Sequence, residues 1–243
     1  MARELADVLH YFLEDARPAP CAPPRCLALV AEPDELLGAA FLWNLAHELA
    51  RRGNSVAWVS ALSDEELLPD DACAGIQRLL APVAELAGLA AAVREAGAKL
   101  RARPAPELVL TRVPPSWLGP EAGAQDLLAW TLLLAGPELE RRDEARVRSQ
   151  RIADALPGAR IGVTLTGVRS VREAEAAFGA LARDFSTPRA ELWSYGLLLD
   201  DHLLYDALLA RRPLTHHRPE SRAALALRDV ARLLEEDWRR DAA

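Results

Sequence analysis

The sequence predicts an α/β protein with a mostly parallel sheet and helices on both faces. Short apolar runs that suit buried strands alternate with longer segments that suit helices. The first two runs, CLALVA and SVAWVS, are apolar at nearly every position, which is typical of parallel strands buried on both faces. Strands that alternate with helices imply right-handed crossover connections, and such connections build a parallel sheet.

Six strands and their connecting helices are expected along the chain. The strands are predicted at residues 26–31, 55–60, 107–113, 130–136, 159–168 and 190–199. Helices are predicted at residues 36–52, 138–155, 171–184, 201–211 and 221–240, with a mostly helical segment at 64–102. Gly53 suits the end of the first of these helices.

The composition indicates one large domain with two short segments in front of it. The chain has 243 residues, of which 51% are hydrophobic and 27% charged. Residues 1–16 are predicted to form an amphipathic helix, residues 17–25 a proline-rich linker, and residues 26–243 the α/β domain. The N-terminal residues carry charges throughout, so we expect no signal peptide. With only three cysteines, a cytoplasmic protein with reduced thiols is the simplest interpretation.

Charge limits the classes of partner. The net charge of −7 argues against a sequence-independent nucleic-acid binder, which needs a broad basic surface. The closing helix, residues 221–240, is amphipathic, and we expect it to pack on the sheet. Its acidic residues would be repelled by anionic lipid, so any membrane contact would be peripheral.

The apolar stripe of the N-terminal helix is a candidate partner-binding surface. Leu5, Leu9 and Phe12 recur at helical spacing on one face. The stripe suits docking into a groove of a protein partner, or packing back on the chain's own domain.

Four stretches carry motifs in a fixed order. They are NLAHELARRGNSVAWV, IGVTLTGVRSVREAEAAFGALARDF, LWSYGLLLDDHLLYDALLARRPL and PESRAALALRDVARLL. Together they resemble the MinD/ParA group of deviant Walker ATPases and, within it, the flagellar-number regulator FlhG. The resemblance covers residues 26–236. It implies a MinD-type, P-loop NTPase-like fold whose active members dimerise around bound nucleotide.

The phosphate-binding loop of that family is replaced in this sequence. The family loop reads approximately Lys-Gly-Gly-Val-Gly-Lys-Ser/Thr, so that backbone amides, a lysine and a hydroxyl hold the phosphates and Mg²⁺. Counted back from Asn44, the corresponding positions hold Pro33, Asp34, Glu35, Leu37, Gly38 and Ala39. Proline has no N–H to donate. Glu32, Asp34 and Glu35 place negative charge where a triphosphate would bind, and Asp34 suits the N-cap of the helix.

The remaining nucleotide motifs are also absent. Ser60 stands where the family has a water-orienting aspartate, and Arg112 where it has an aspartate that supports Mg²⁺. Thr166 stands where it has a base-reading asparagine. The resemblance therefore implies a pseudo-ATPase without a functional P-loop, catalytic residues, cofactor or metal.

One helix is crowded with arginines. Arg141 and Arg148 share a face of the helix predicted at 138–155. They form either a patch for an acidic partner surface or part of a solvated helix in which Asp143 and Glu144 offset the arginines.

The sequence thus predicts a catalytically inactive interaction or adaptor module of a bacterial localisation, motility or assembly system. It would pair with itself, with an active MinD-family paralogue or with another protein. Two alternatives stay open. One is an enzyme that binds a non-nucleotide ligand in the remodelled crevice, with Arg112 clamping a carboxylate. The other is a peripheral membrane- or DNA-associated positioning protein.

Overall fold

A computed structural model describes residues 25–32, 35–61, 75–100, 107–119, 125–185, 190–199 and 202–240. The predicted N-terminal helix at 1–16, with Leu5, Leu9 and Phe12, lies outside these ranges, as do Pro33 and Asp34. No helix among the described residues combines the length and the apolar character needed to cross a membrane.

Seven parallel strands form one sheet. The strands are β1 Arg25–Val30, β2 Ser55–Ala61, β3 Ile76–Ala81, β4 Glu107–Val113, β5 Trp130–Ala135, β6 Arg160–Val168 and β7 Glu191–Leu199. Their order across the sheet is β3-β2-β4-β1-β5-β6-β7. Each neighbouring pair is parallel, which confirms the predicted fold class.

Helices cover both faces of the sheet, as predicted. They are α1 Leu36–Arg51, α2 Leu86–Leu100, α3 Gln125–Leu128, α4 Leu139–Ala155, α5 Val171–Asp184, α6 Leu203–Leu209, α7 Leu214–His217 and α8 Arg222–Arg240. Along β1, Leu27 and Leu29 belong to the core cluster that contains residues of α1 and α8, whereas Ala28 and Val30 belong to the cluster that contains residues of α2 and α3. This alternation follows from the two-residue period of a strand.

The prediction of six strands was wrong, because β3 lies within the segment predicted to be mostly helical. Its apolar residues Ile76, Leu79 and Leu80 have helix-like spacing, and the strand is only half-buried at the sheet edge. Pairing with β2 along its whole length overrides that local pattern.

The ends of several strands and helices differ from their predicted positions by a few residues. β1 begins at Arg25, which the sequence analysis placed in the linker. Glu35 occupies the N-cap position of α1 that had been assigned to Asp34, and its side chain makes no capping hydrogen bond. The helix predicted at 201–211 is shorter, and the single turn of α7 after it was missed.

The closing helix packs on the domain, as expected. Leu227, Val230 and Leu234 are buried in the core cluster that α8 shares with α1 and β7. Glu235 of α8 is buried and accepts hydrogen bonds from Arg52 and Asn54, which follow α1. The apolar face of α8 is therefore occupied by its own domain.

Asn44 joins α1 to α7 in the core. Its side chain is fully buried, donates to the Ala40 carbonyl at 2.8 Å and accepts from the Leu214 N–H at 2.8 Å. Asn44→Leu leaves the buried Leu214 N–H unpaired, so we expect a loss of about 1–3 kcal/mol in the free energy of unfolding. Chemical denaturation measures it.

The matched control for Asn44 is Gln150→Ala. Gln150 is exposed, and its one side-chain hydrogen bond within the described part of the chain is to Asp154, one turn along α4. Its removal should therefore change stability by less than about 0.5 kcal/mol. Equal losses in both variants would contradict the role assigned to Asn44.

Candidate functional site

A crevice opens at the carboxyl ends of the central strands. It has a volume of about 470 Å³ and lies between the start of α1 and the first half of α4. Glu32 follows β1, Ala135 ends β5, and Thr166 lies near the end of β6. Open parallel sheets bind their ligands in such a crevice, at the point where the strand order reverses. Here that point is between β1 and β5, which flank it in the sheet.

Arg148 of α4 occupies the acidic part of the crevice. Its guanidinium lies 3.5 Å from the Glu35 carboxylate, 3.9 Å from that of Glu32 and 4.0 Å from that of Glu144. Only 13% of its side chain is exposed. The solvated-helix interpretation was therefore wrong about the exposure of Arg148, but Glu144 does lie beside this arginine, and Asp143 beside Arg146, as that interpretation expected.

The crevice as a whole is acidic. Four carboxylates line it, from Glu32, Glu35, Glu140 and Glu144, and two guanidiniums, from Arg141 and Arg148. The lining therefore carries an excess of two negative charges. Arg141 forms no ion pair with any residue that the structure describes, so it faces the crevice as an exposed cation.

The first turn of α1 offers no group for a phosphate beyond its backbone. Gly38 and Ala39 are buried, and they have neither an amino group nor a hydroxyl. A Cβ on Gly38 would lie 3.0 Å from the Cβ of Ala31, so the helix start is packed closely against the end of β1. Glu35 lies at the helix N-terminus, where the positive end of the helix dipole favours a carboxylate.

Arg112 is turned inward and does not line the crevice. It is 2% exposed, and its Nη2 donates to the Glu32 carbonyl at 2.7 Å. That bond ties the end of β4 to the segment between β1 and α1. The alternative in which Arg112 clamps a ligand carboxylate was therefore wrong, because the guanidinium is buried against the backbone.

The other two replaced positions are also buried. Ser60 is fully buried at the end of β2, and Thr166 is 3% exposed. The Thr166 hydroxyl donates to the Ala135 carbonyl at 3.3 Å, between the ends of β6 and β5. Thr166 lies in the crevice, where the sequence analysis placed it. Ser60 is not part of the crevice lining.

A second groove continues from the crevice along the outer side of α4, and the sequence analysis missed it. Its volume is about 830 Å³, and it shares Glu32, Glu140, Glu144 and Arg148 with the crevice. Its apolar residues are Pro115, Leu139 and Val147. The spacing of residues in α4 is the sequence pattern that could have predicted this groove. One strip of the helix is formed by residues that recur every four positions, namely Leu139, Asp143, Val147 and Arg151.

The sequence-predicted positions are brought together only in part. Glu35, Arg141, Arg148 and Thr166 line one crevice. Ser60 and Arg112 are buried and are not among the residues that line it. The described residues contain no group of three or more histidine, cysteine or acidic side chains arranged to hold a metal ion.

Solved structures of one fold family match this chain. MinD of Pyrococcus furiosus, a cell division ATPase, matches 88% of this chain and 99% of its own, at 19% identity and a TM-score of 0.64. A ParA family ATPase from Chlorobium tepidum matches 86% of this chain and 97% of its own, at 12% identity and a TM-score of 0.60. A chain of the MinC:MinD cell division protein complex of Aquifex aeolicus matches 86% and 95%, at 15% identity and a TM-score of 0.59.

These matches establish the fold. The chain has the P-loop NTPase-like α/β fold of the MinD/ParA ATPases, with seven strands in the order given above. At identities below 20% the likeness concerns the fold and not the activity. No protein-family model matches the sequence, and no curated protein matches it.

Proposed function

We propose that this protein is a pseudo-ATPase of the MinD/ParA fold, most similar in kind to FlhG, that acts as a protein interaction or adaptor module. It would serve a localisation, motility or assembly system in the bacterial cytoplasm. The observation that carries the proposal is the ion-paired group of Glu32, Glu35 and Arg148 in the crevice. Acidic side chains stand there in place of a phosphate-binding loop.

Electrostatics make the crevice a poor site for a triphosphate. Two like unit charges about 4 Å apart repel by about 1 kcal/mol in water and about 4 kcal/mol near a protein surface. A nucleotide would meet the carboxylates of Glu32 and Glu35 at the start of α1. Gly38 and Ala39 supply neither the lysine that neutralises phosphates nor the hydroxyl that holds Mg²⁺.

A role in binding another protein explains why the chain has this fold without the groups that bind phosphate and Mg²⁺. The fold still brings the ends of β1, β5 and β6 to one crevice with an open groove beside it. The solved MinC:MinD complex shows a protein of this fold bound to a protein partner. By analogy, we propose that this chain pairs with a protein: a second copy, an active paralogue or an unrelated partner.

Nucleotide titration tests the proposal. We expect isothermal calorimetry of the pure protein with Mg²⁺–ATP or Mg²⁺–ADP to show no binding heat up to about millimolar nucleotide. A binding free energy weaker than about 4 kcal/mol does not saturate the protein at these nucleotide concentrations. An active ATPase of the same fold, titrated in the same buffer, is the positive control.

Micromolar affinity for either nucleotide would contradict the pseudo-ATPase proposal. In that case Arg141, the exposed cation of the crevice, becomes the first candidate for the missing lysine. Arg141→Ala would then abolish the heat. An ATP-independent readout, the mass of the protein in solution, reports separately whether the chain pairs with itself.

A further inference from the structure

We propose that the groove along α4 binds a short, extended, basic segment of a partner protein that also carries apolar side chains. The floor of this groove, called here the α4 groove, is formed by Pro115, Leu139 and Val147. Its acidic rim is formed by Glu140, Asp143 and Glu144. The inference rests on the proposed function, because it names the class of partner that such an interaction module would bind.

Two of the three floor residues expose apolar surface, whereas Pro115 is buried. Leu139 is 66% exposed and Val147 is 42% exposed, and the two lie two turns apart on the same strip of α4. A single exposed leucine is ordinary on a protein surface. Here two exposed residues and a proline line one concavity of about 830 Å³, and grouped apolar surface of that kind marks interaction sites.

The rim carries more negative charge than its neighbours balance. Asp143 is 3.6 Å from Arg146, and Glu144 is 4.0 Å from Arg148, which it shares with Glu32 and Glu35. Glu140 has no ion pair with any described residue. Four carboxylates and two guanidiniums line the α4 groove, so a basic guest complements its net charge of −2.

The other candidate occupants have the wrong charge. The chain's own residues 1–24 contain two arginines and four acidic residues, so this segment would be repelled by the rim. A second copy that docked groove to groove about a two-fold axis would place carboxylates against carboxylates. A free anion such as a nucleotide meets the same excess of negative charge. A basic segment of another protein fits.

The length of the strip sets the size of the guest. Leu139 and Arg151 are twelve residues apart on α4, or about 18 Å along the helix axis at about 1.5 Å per residue. An extended peptide rises about 3.3 Å per residue, so five or six residues span this distance. The guest needs both apolar and basic side chains, because apolar and acidic residues follow one another along the strip from Leu139 through Asp143 to Val147.

The test is a fluorescence anisotropy titration of the full chain with three labelled octapeptides. One alternates lysine and leucine, one alternates lysine and serine, and one alternates glutamate and leucine. We expect the lysine–leucine peptide to bind best, the lysine–serine peptide to bind more weakly, and the glutamate–leucine peptide not to bind. Leu139→Ser should weaken the first about threefold or more, whereas Leu209→Ser, at a 74% exposed leucine on α6, should not.

Charge-reversal variants distinguish binding in the α4 groove from unspecific attraction of the peptide to an acidic protein. The double variant E140K/E144K should weaken lysine–leucine binding by about tenfold or more, because attractions at the rim become repulsions. The matched control E175K/D184K makes the same change in net charge at exposed residues of α5 and should weaken binding by less than about twofold. Circular dichroism confirms that each variant is folded, and E140Q/E144Q replaces the lysine variant if it is not.

Three results would overturn the assignment. Equal losses in both double variants would mean unspecific attraction to an acidic protein. A wild-type dimer that E140K/E144K converts into monomers would identify a second copy as the occupant. Absence of peptide binding would remove the α4 groove as a basic-segment site. Nucleotide calorimetry tests the proposed function separately. If the protein bound ATP and still bound the peptide through the α4 groove, only the proposed function would be contradicted.

Discussion

Gly162→Ala is expected to destabilise the protein by about 3 kcal/mol, the largest loss we predict for a single added methyl group. Gly162 lies in the middle of β6, where a Cβ would come within 2.3 Å of Cδ2 and 2.4 Å of Cε2 of Tyr195. The Tyr195 ring is 1% exposed, and its hydroxyl donates to Asp237 at 2.7 Å and accepts from Trp130 at 3.2 Å. The ring therefore has no free direction in which to move.

A double-variant cycle tests the contact itself. In a Tyr195→Leu background the ring is gone, so Gly162→Ala should cost less than about 1 kcal/mol. Gly179→Ala is the matched control, because a Cβ on this glycine of α5 meets nothing within 4 Å. It should leave stability unchanged or raise it by about 0.5–1 kcal/mol through helix propensity. Chemical denaturation measures the four proteins of the cycle and the Gly179→Ala control. Additive losses within the cycle would show that the Tyr195 ring is not the cause.

Elements with local signals were predictable. The helix predicted at 171–184 agrees with α5 Val171–Asp184, because its start is encoded nearby. The Ser170 side chain accepts from the Glu173 N–H at 3.2 Å, and the Glu173 carboxylate accepts from the Arg169 N–H at 2.6 Å. Both contacts involve residues within four positions of one another, so a single stretch of sequence carries them.

Elements that depend on distant contacts were not predictable in the same way. The spacing of apolar residues in β3 predicts a helix, but the segment forms a strand because it pairs in parallel with β2. The local sequence predicts that Arg148 is solvated, because its partner Glu35 lies 113 residues earlier in the chain. The contact exists only once α4 has packed beside the end of β1, and no periodicity within α4 reports that.

The positions that stabilise the fold differ in kind from those that line the crevice. Asn44 and Gly162 satisfy packing or hydrogen-bonding demands in the core, with partners on α7 and β7. Glu35 and Arg148 instead line the crevice, where they pair with each other.

Acidification from pH 7 to pH 5 is expected to reduce stability by about 2 kcal/mol through one histidine, His47. His47 is 4% exposed on α1, with its ring 4.6 Å from that of Trp43. Burial, with a smaller contribution from His216, lowers the pKa of His47 from its ordinary value of 6.5 to about 4. Between these two values the unfolded chain binds the proton and the folded chain does not. Stability is therefore complete above pH 6.5 and declines as the pH falls towards 4.

His47→Gln isolates this contribution, because the variant has no ring to protonate. Urea denaturation at pH 7 and pH 5 should show a loss that is smaller by about 2 kcal/mol in His47→Gln than in the wild type. His217→Gln, at an exposed histidine of α7, should keep the full wild-type loss. At pH 5 most carboxylates with ordinary pKa values near 4 are still ionised, so they contribute little to the difference. If His47→Gln lost as much stability as the wild type, the buried neutral ring would not be the source of the pH dependence, and the packing of α1 against α7 would have to be looser than the structure shows.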